Sequence, residues 1–424
     1  MLAGRWGEVM TTIGVASVAD LKTALSSAHA GDIIALAPGV YSNVSIYNIH
    51  FSSPVTITSK DPAHPATILG LTVNQSSGLY LAHLQIGPVS ATPSWAASVA
   101  NSSNIAFSKI DFAGSTAVLP SAGPSGLLVQ SSSVVAIQNS YFHDLNTGIS
   151  EIGNHGVVIS GNAFDHIGTD GVDNGGSSYV TIKNNNFTEF ENTVGTLHPD
   201  AIQFWTTNTT ASAHDIAVTG NVFDRGAGSA VEGIFMHDGS GALPFKNITI
   251  SDNLILGSQW NGICLDDAGS VTVTNNTVAT WAGQNTNTGA LVPNLTARIL
   301  LDSKPGSAVN ESGNLSQGYL LADFPVAPPP GNQSIGAVLD GGASLLLNWS
   351  QAHPAQVSNY SADLISLLTA AQASAANALL PQSISQTHVS EAVSHAPTAP
   401  LLETSNDTLS VLGLAQTHQI GAWG

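Results

Sequence analysis

A nonapeptide pattern recurs six times in the middle of this chain, and no other feature limits the fold as much. The copies are VVAIQNSYF (134–142), GVVISGNAF (156–164), YVTIKNNNF (179–187), DIAVTGNVF (215–223), NITISDNLI (247–255) and SVTVTNNTV (270–278). Aligned on their asparagines they stack Asn139, Asn162, Asn185, Asn221, Asn253 and Asn276, at spacings of 23, 23, 36, 32 and 23 residues. The unit is therefore 23 residues, with insertions of 13 and 9 in two successive turns. A unit this short holds two or three strands and their turns. Alternation within it (Val135 and Ile137, Val180 and Ile182, Ile248 and Ile250) aims one face inward. One unit alone has nothing to bury that face against, whereas stacked units do. Asparagine recurring at a turn fits a ladder of side-chain amides bonded to neighbouring backbone, since asparagine tolerates left-handed geometry. The expected fold is all-β, a parallel β-helix.

The start of the coil carries its own signal. In SVADLKTALSSAHAGDIIALAPGVY, Ser17 and Asp20 form a capping box, Leu21, Ala24, Leu25 and Ala28 form an apolar stripe, and Gly31 is the expected helix stop. A short amphipathic helix placed there covers the open end of the solenoid, where unpaired strand edges invite aggregation. This capping helix, the GD-I-L-PG-Y sequence after it and the asparagine-bearing turns resemble the right-handed parallel β-helix superfamily. That group includes pectate-lyase-like enzymes, alginate lyases and epimerases, and phage tailspike depolymerases. The resemblance spans residues 15 to 303 and implies fold rather than activity, because the same fold hosts binding and structural proteins.

Each coil repeats a second frame: TGISEIG from Thr147, DGVDNGG from Asp170, DAIQFWT from Asp200, EGIFMHD from Glu232 and NGICLDD from Asn261. With Ile149, Val172, Ile202, Ile234 and Ile263 pointing inward, alternation sends the residues one and three later outward. One outward column is then Ser150, Asp173, Gln203, Phe235 and Cys264; the next is Ile152, Gly175, Trp205, His237 and Asp266. The residues opening the strands make a third column, Thr147, Asp170, Asp200, Glu232 and Asn261.

Successive coils lie roughly 4.8 Å apart, so Asp170, Asp200 and Glu232 are expected as a stack of acids, with Asp173 nearby. Like charges that close raise at least one pKa and can set a protonated general acid beside an ionised base. Paired carboxylates are what glycoside hydrolysis needs. The candidate catalytic residues are Asp170, Asp173, Asp200 and Glu232, assisted by His198 from the inserted loop GTLHP. Gln203, Trp205, His237, Trp260 and Asp266 are the candidate sugar contacts, the indoles as stacking faces. Tailspike-type depolymerases carry carboxylates on β-helix strands, and these four acids are similar in placement. No cofactor is required by this reading. An acid ladder of Asp170, Asp200 and Glu232 is alternatively a Ca²⁺ site, and strand-opening acids are also ordinary turn caps. His237–Asp238 and Asp266–Asp267 also read as solvated pairs. Polyuronate lyase or epimerase chemistry is a second class, with His198 or Lys183 as base. Alginate epimerases carry Asp-Pro-His, whereas His198-Pro199-Asp200 runs in reverse order. A non-catalytic spike, adhesin or decoration protein is the third class.

Charge narrows the partners. Nine Lys/Arg against 28 Asp/Glu give a net charge of −19, which repels nucleic acid and anionic membranes. It also disfavours a polyanionic glycan, the more so because the central coils offer only Lys183, Arg225 and Lys246 as cations. The partner expected is a cell-surface polysaccharide. No apolar run reaches membrane-spanning length, and the single Cys264 excludes an internal disulfide framework. The first residues lack the charged start and apolar core of a secretory leader, and Met10 is a candidate start. The expected location is nonetheless extracellular or on a virion surface, where the resemblance to tailspikes implies a homotrimer.

The expected organisation is an extension over 1–14, the β-helix over 15–304, a linker or irregular segment over 305–358 that includes FPVAPPPGNQ, and a helical, loosely ordered region over 359–424. Leu364, Leu367, Leu368 and Ala371 have helical spacing, ended by Pro381.

Overall fold

A computed structural model describes residues 10–90, 94–192, 199–239, 241–280, 295–321 and 324–336, with shorter pieces as far as 373. It divides into two compact units, 1–342 and 343–424. The first is a parallel β-helix. Thirty-two of its strands join in one continuous hydrogen-bonded sheet that winds through three faces per coil.

The capping helix α1 spans Val18–Ser27. The Ser17 hydroxyl accepts a hydrogen bond from the Asp20 backbone N–H, and Leu21, Ala24 and Leu25 are buried against the first coils. The helix ends one turn earlier than Gly31 predicts: Ala28 is already extended, and Gly31 (φ 88°) serves instead in the turn into Ile33–Leu36.

In the middle coils a first face carries Ser125–Gln130, Ile149–Ile152, Val172–Gly175, Asp200–Trp205 and Glu232–His237. A second carries Ser133–Gln138, His155–Ser160, Ser178–Lys183, His214–Thr219 and Lys246–Ser251. A third, shorter face runs from Asp111–Ala113 through Tyr141–Leu145, Ala163–Ile167 and Asn186–Thr188 to Val222–Asp224 and Leu254–Leu256. The interior between them is filled by stacked identical side chains. Phe112, Phe142, Phe164 and Phe187 lie ring on ring, with centroids 4.4, 4.9 and 4.7 Å apart.

At the turn between the second and third faces the asparagines form a ladder. Asn162, Asn185, Asn221, Asn253 and Asn276 each donate from Nδ2 to the side-chain oxygen of the next asparagine and to a backbone carbonyl of the preceding coil. Asn139 is not a member. It stands one position too early, in left-handed geometry (φ 50°), and Ser140 fills the ladder site, its N–H donating to Asn162 Oδ1. The step from that coil to the next is thus 22 residues, and aligning on asparagine shifted the first copy by one. At the turn between the first and second faces a further ladder, Ser76, Ser102, Ser132, Asn154 and Ser177, does the same work. Serine is too common in this chain for that ladder to stand out in the sequence.

The coil does not stop at residue 304. Arg298–Ser312 pairs with Gly318–Leu321, and Asn314 and Asn332 prolong the asparagine ladder. Within the expected linker, Phe324–Val326 runs antiparallel to Gly318–Leu321. Pro325 is tolerated because this strand lies at an edge, where no ladder bond needs its missing N–H. Gln333–Ser334 adds one last parallel pairing. In the second unit, α2 spans Ala343–Ala352, within the stretch expected to be linker or irregular. Of the helix expected beyond 359, residues 365–366 and 368–373 are helical, with Leu368 and Ala371 buried; Leu364, Leu367 and Pro381 lie outside the described residues.

Candidate functional site on the acidic face

The first face is in the register that the repeats imply. Val172 pairs with Ile202 and Asp173 with Gln203; Asp200 pairs with Glu232, Phe235 with Cys264 and Trp205 with His237. The inward column is fully buried from Ile149 to Ile263. The acids, however, stand two residues before it, where strict alternation would turn them inward too. A local break brings them out. A Cβ at Gly171 would lie 2.7 Å from Phe187 of the interior, so this position and Val172 after it both face inward. The residue before such a doublet emerges on the side of Gln203, whose Nε2 donates to Asp200 Oδ2 at 2.9 Å.

The structure brings Asp170, Asp173, Asp200 and Glu232 into one cluster. Burial pushes the Asp200 carboxyl far up, and the neighbouring Asp170, Glu232 and Asp173 push it further, against the Gln203 bond. Burial, then Asp170, raises Asp173 to about 8, opposed by the Ser150 hydroxyl 3.4 Å from its Oδ2. Asp170 Oδ1 accepts the Asp200 backbone N–H at 2.9 Å. The four are not equally reachable: Asp170 and Asp173 are half-buried at the surface, whereas Asp200 is fully buried and Glu232 nearly so. Packing of coils above and below encloses the inner two. Among the described residues, no three His, Cys, Asp or Glu side chains converge as metal ligands, and Asp170 and Asp200 already spend oxygens on protein donors. No step below uses Ca²⁺.

His198 lies outside the described residues. Of the expected sugar contacts, Gln203 and Trp205 face outward and are half-buried; the indole lies flat on Gly175, where a Cβ would come within 2.6 Å of it. His237 and Asp266 bond to each other, Nδ1 to Oδ2, at the outer margin. Asp238, read as solvated, is instead buried, accepting from the Thr206 hydroxyl and the Leu243 N–H to tie down a loop. Trp260 is 36% exposed and carries the Arg298 guanidinium 5.7 Å from its ring centroid. Lys183 is exposed on the second face, away from the acids, and Arg225 is buried, its Nε held by the Gly228 carbonyl.

Sequence reasoning missed two groups. Glu151 points into the interior, fully buried, with Asn174 Nδ2 donating to its Oε2 at 3.1 Å; burial raises it to about 8. Its place in EIG, two after Ile149, was the available signal. Arg298 was missed because its coil was placed at the domain's end.

Residues 95–278 match the family described as "Right handed beta helix region". Over those residues match and structure agree on one architecture, a right-handed parallel β-helix. No curated protein matches the sequence. Among solved structures it is similar to PfbA, a surface adhesin of Streptococcus pneumoniae (14% identity, 74% of this chain and 92% of that one, TM-score 0.48). It is also similar to a mannuronic acid specific polysaccharide family 6 lyase from human gut microbiota (13%, 87% and 100%, 0.46), and to an alginate lyase from Paenibacillus sp. str. FPU-7 (16%, 72% and 99%, 0.42).

Proposed function

We propose that this protein binds a polysaccharide along its first face and cleaves it by glycoside hydrolysis, outside the cell or on a virion. One observation carries the reading: carboxyls from three successive coils share one site, and the two at its surface differ in what holds them. Asp173 keeps its proton up to about 8 and can give it to the departing glycosidic oxygen. Asp170, which accepts a backbone N–H, serves as the ionised partner, activating water or attacking the sugar. The buried Asp200 and Glu232 stand behind this pair; after burial, it is Asp170 that disfavours a negative charge on Asp173. Trp205 and Gln203 flank the acids and supply a stacking face and an amide for sugar hydroxyls.

The test is incubation with purified capsular and exopolysaccharides, followed by assay of reducing ends and of unsaturated product. Release of reducing ends that Asp173→Asn and Asp170→Asn each lower by about 10²–10⁴-fold, with binding intact, is expected. An unsaturated product overturns hydrolysis in favour of β-elimination. Binding without any product, unaltered by either substitution, leaves an adhesin.

A further inference from the structure

The second face bulges in each of its middle coils. Its strands pair Ser133 with His155, His155 with Ser178 and His214 with Lys246, then skip one residue before pairing resumes at Val135, Val157, Val180, Ile216 and Ile248. The skipped residues are Val134, Gly156, Tyr179, Asp215 and Asn247, all left-handed, with φ between 53° and 76°. They make one outward column, with a step of about 4.8 Å per coil. Glycine, aspartate and asparagine suit that backbone; a tyrosine there is strained. A bulky side chain kept in a strained place points to a function for the side chain itself. We propose that Tyr179, flanked by His155 and His214 and followed by Asp215 and Asn247, forms a second glycan-binding ledge, which holds hexopyranose rings of a neutral polysaccharide. The ledge lies on a different face from the acids and does not depend on cleavage there.

Tyr179 is 48% exposed. Imidazoles from the coils on either side buttress its ring: the His155 centroid lies 4.4 Å away, and His214 meets it edge-on at 5.1 Å. A ring held in this way loses little freedom on binding and offers an apolar face to the C–H side of a pyranose. A Cβ on Gly156 would meet nothing nearer than 3.7 Å, so the column has a gap on one side of the tyrosine. Polar groups follow on the other side, in the next two coils. His214 Nδ1 bonds Asp215 Oδ2 at 2.6 Å, and Asn247 Nδ2 donates to Asp215 Oδ1. These bonds fix a carboxylate and an amide within a coil or two of the ring. The Asp215 bond takes one Nδ2 hydrogen of Asn247 and none of the capacity of its Oδ1, so the amide can still both give and accept bonds with sugar hydroxyls.

Charge selects an uncharged ligand. The His214 and Asn247 bonds hold the Asp215 carboxyl below its usual range, and Lys246, opposite His214 in the next coil, balances its charge. The histidines are not a metal site: among the described residues no three His, Cys, Asp or Glu side chains converge as ligands. The competing role for the tyrosine is structural, a cover for the bulge. That role predicts lost stability when the ring is removed. A strained ring kept for binding predicts none, because asparagine fits left-handed backbone better.

The experiment runs the full chain by affinity electrophoresis through gels holding dextran, laminarin, mannan or galactomannan, with dextran sulfate as the charged control. Thermal unfolding and gel filtration accompany it. The wild type is expected to be retarded by at least one neutral polymer and not by dextran sulfate. Tyr179→Asn is expected to weaken that binding by about tenfold or more, with the melting temperature unchanged or raised. Tyr179→Phe, which keeps the ring, is expected to retain it. Trp205→Ala, on the first face, is expected to leave a residual affinity that Tyr179→Asn then removes. No retardation by any neutral polymer, retardation abolished by Trp205→Ala alone, or retardation that Tyr179→Asn leaves unchanged would each overturn the ledge. A lower melting temperature for Tyr179→Asn with binding intact makes the ring structural, and a changed oligomeric state makes the ledge a contact between copies of the chain; both outcomes refute it. Release of reducing ends from short oligosaccharides is expected to be equal in Tyr179→Asn and the wild type. Absence of any such release removes the hydrolytic reading and leaves the ledge standing.

Discussion

Replacing Glu151 with glutamine changes one proton-binding group in the interior and almost nothing else. Glutamine has the same shape, its carbonyl still accepts from Asn174 Nδ2, and its NH₂ takes the place of the O–H of the neutral acid. In the unfolded chain Glu151 ionises around its ordinary value of 4.5; in the folded chain burial holds the proton to about 8. Between those values the folded state binds more protons than the unfolded state, so stability falls as pH rises. At ~1.4 kcal/mol per pH unit, that interval is worth on the order of 5 kcal/mol. The variant lacks this loss. Urea or guanidinium midpoints of both proteins, taken from about pH 4.5 to about pH 9, read it directly. The two are expected to agree near the acidic end, and the variant to be more stable by several kcal/mol at the alkaline end. Asp173 and Asp200 contribute equally to both proteins and cancel in the difference. Curves that stay parallel across the range would refute a buried neutral Glu151. Glu151→Leu serves as a control: it loses stability even at acidic pH, about 1–3 kcal/mol, because Asn174 is left without its acceptor.

Three other perturbations follow the same physics. Hydrolysis that needs the Asp173 proton declines as pH rises through about 8, and Ser150→Ala, which removes the bond holding that pKa down, moves the alkaline limb upward in a pH–rate profile. Asn221→Ala breaks the middle of the amide ladder, where its side chain donates to Ile182 O and Asn253 Oδ1 and its oxygen accepts from Asn185; it lowers stability by about 2–4 kcal/mol, whereas Asn139→Gly, at a left-handed position outside the ladder, changes thermal stability by less than about 1 kcal/mol. Chelation with EDTA is expected to leave both melting temperature and cleavage unchanged, since the acids spend oxygens on protein donors; a loss restored by Ca²⁺ would reinstate a metal role.

What the sequence determined by itself was everything periodic. Side chains that recur once per coil must stack in a solenoid, so the fold, the inward isoleucines and the neighbours of Asp200 all follow from counting residues. Counting failed where chemistry stayed while identity changed: Ser140 stands in for asparagine, and the Ser76–Ser177 ladder has no rare residue to mark it. It failed again past Lys304, where the coil persists without the repeat's spelling. Tertiary structure alone decided depth and charge. Asp170 and Asp200 occupy equivalent places in successive coils, yet one meets solvent and the other is sealed, because enclosure comes from the coils and loops around a position. Depth sets the cost of ionising a carboxyl. Which acid keeps its proton is therefore a property of the packed molecule that no single repeat contains.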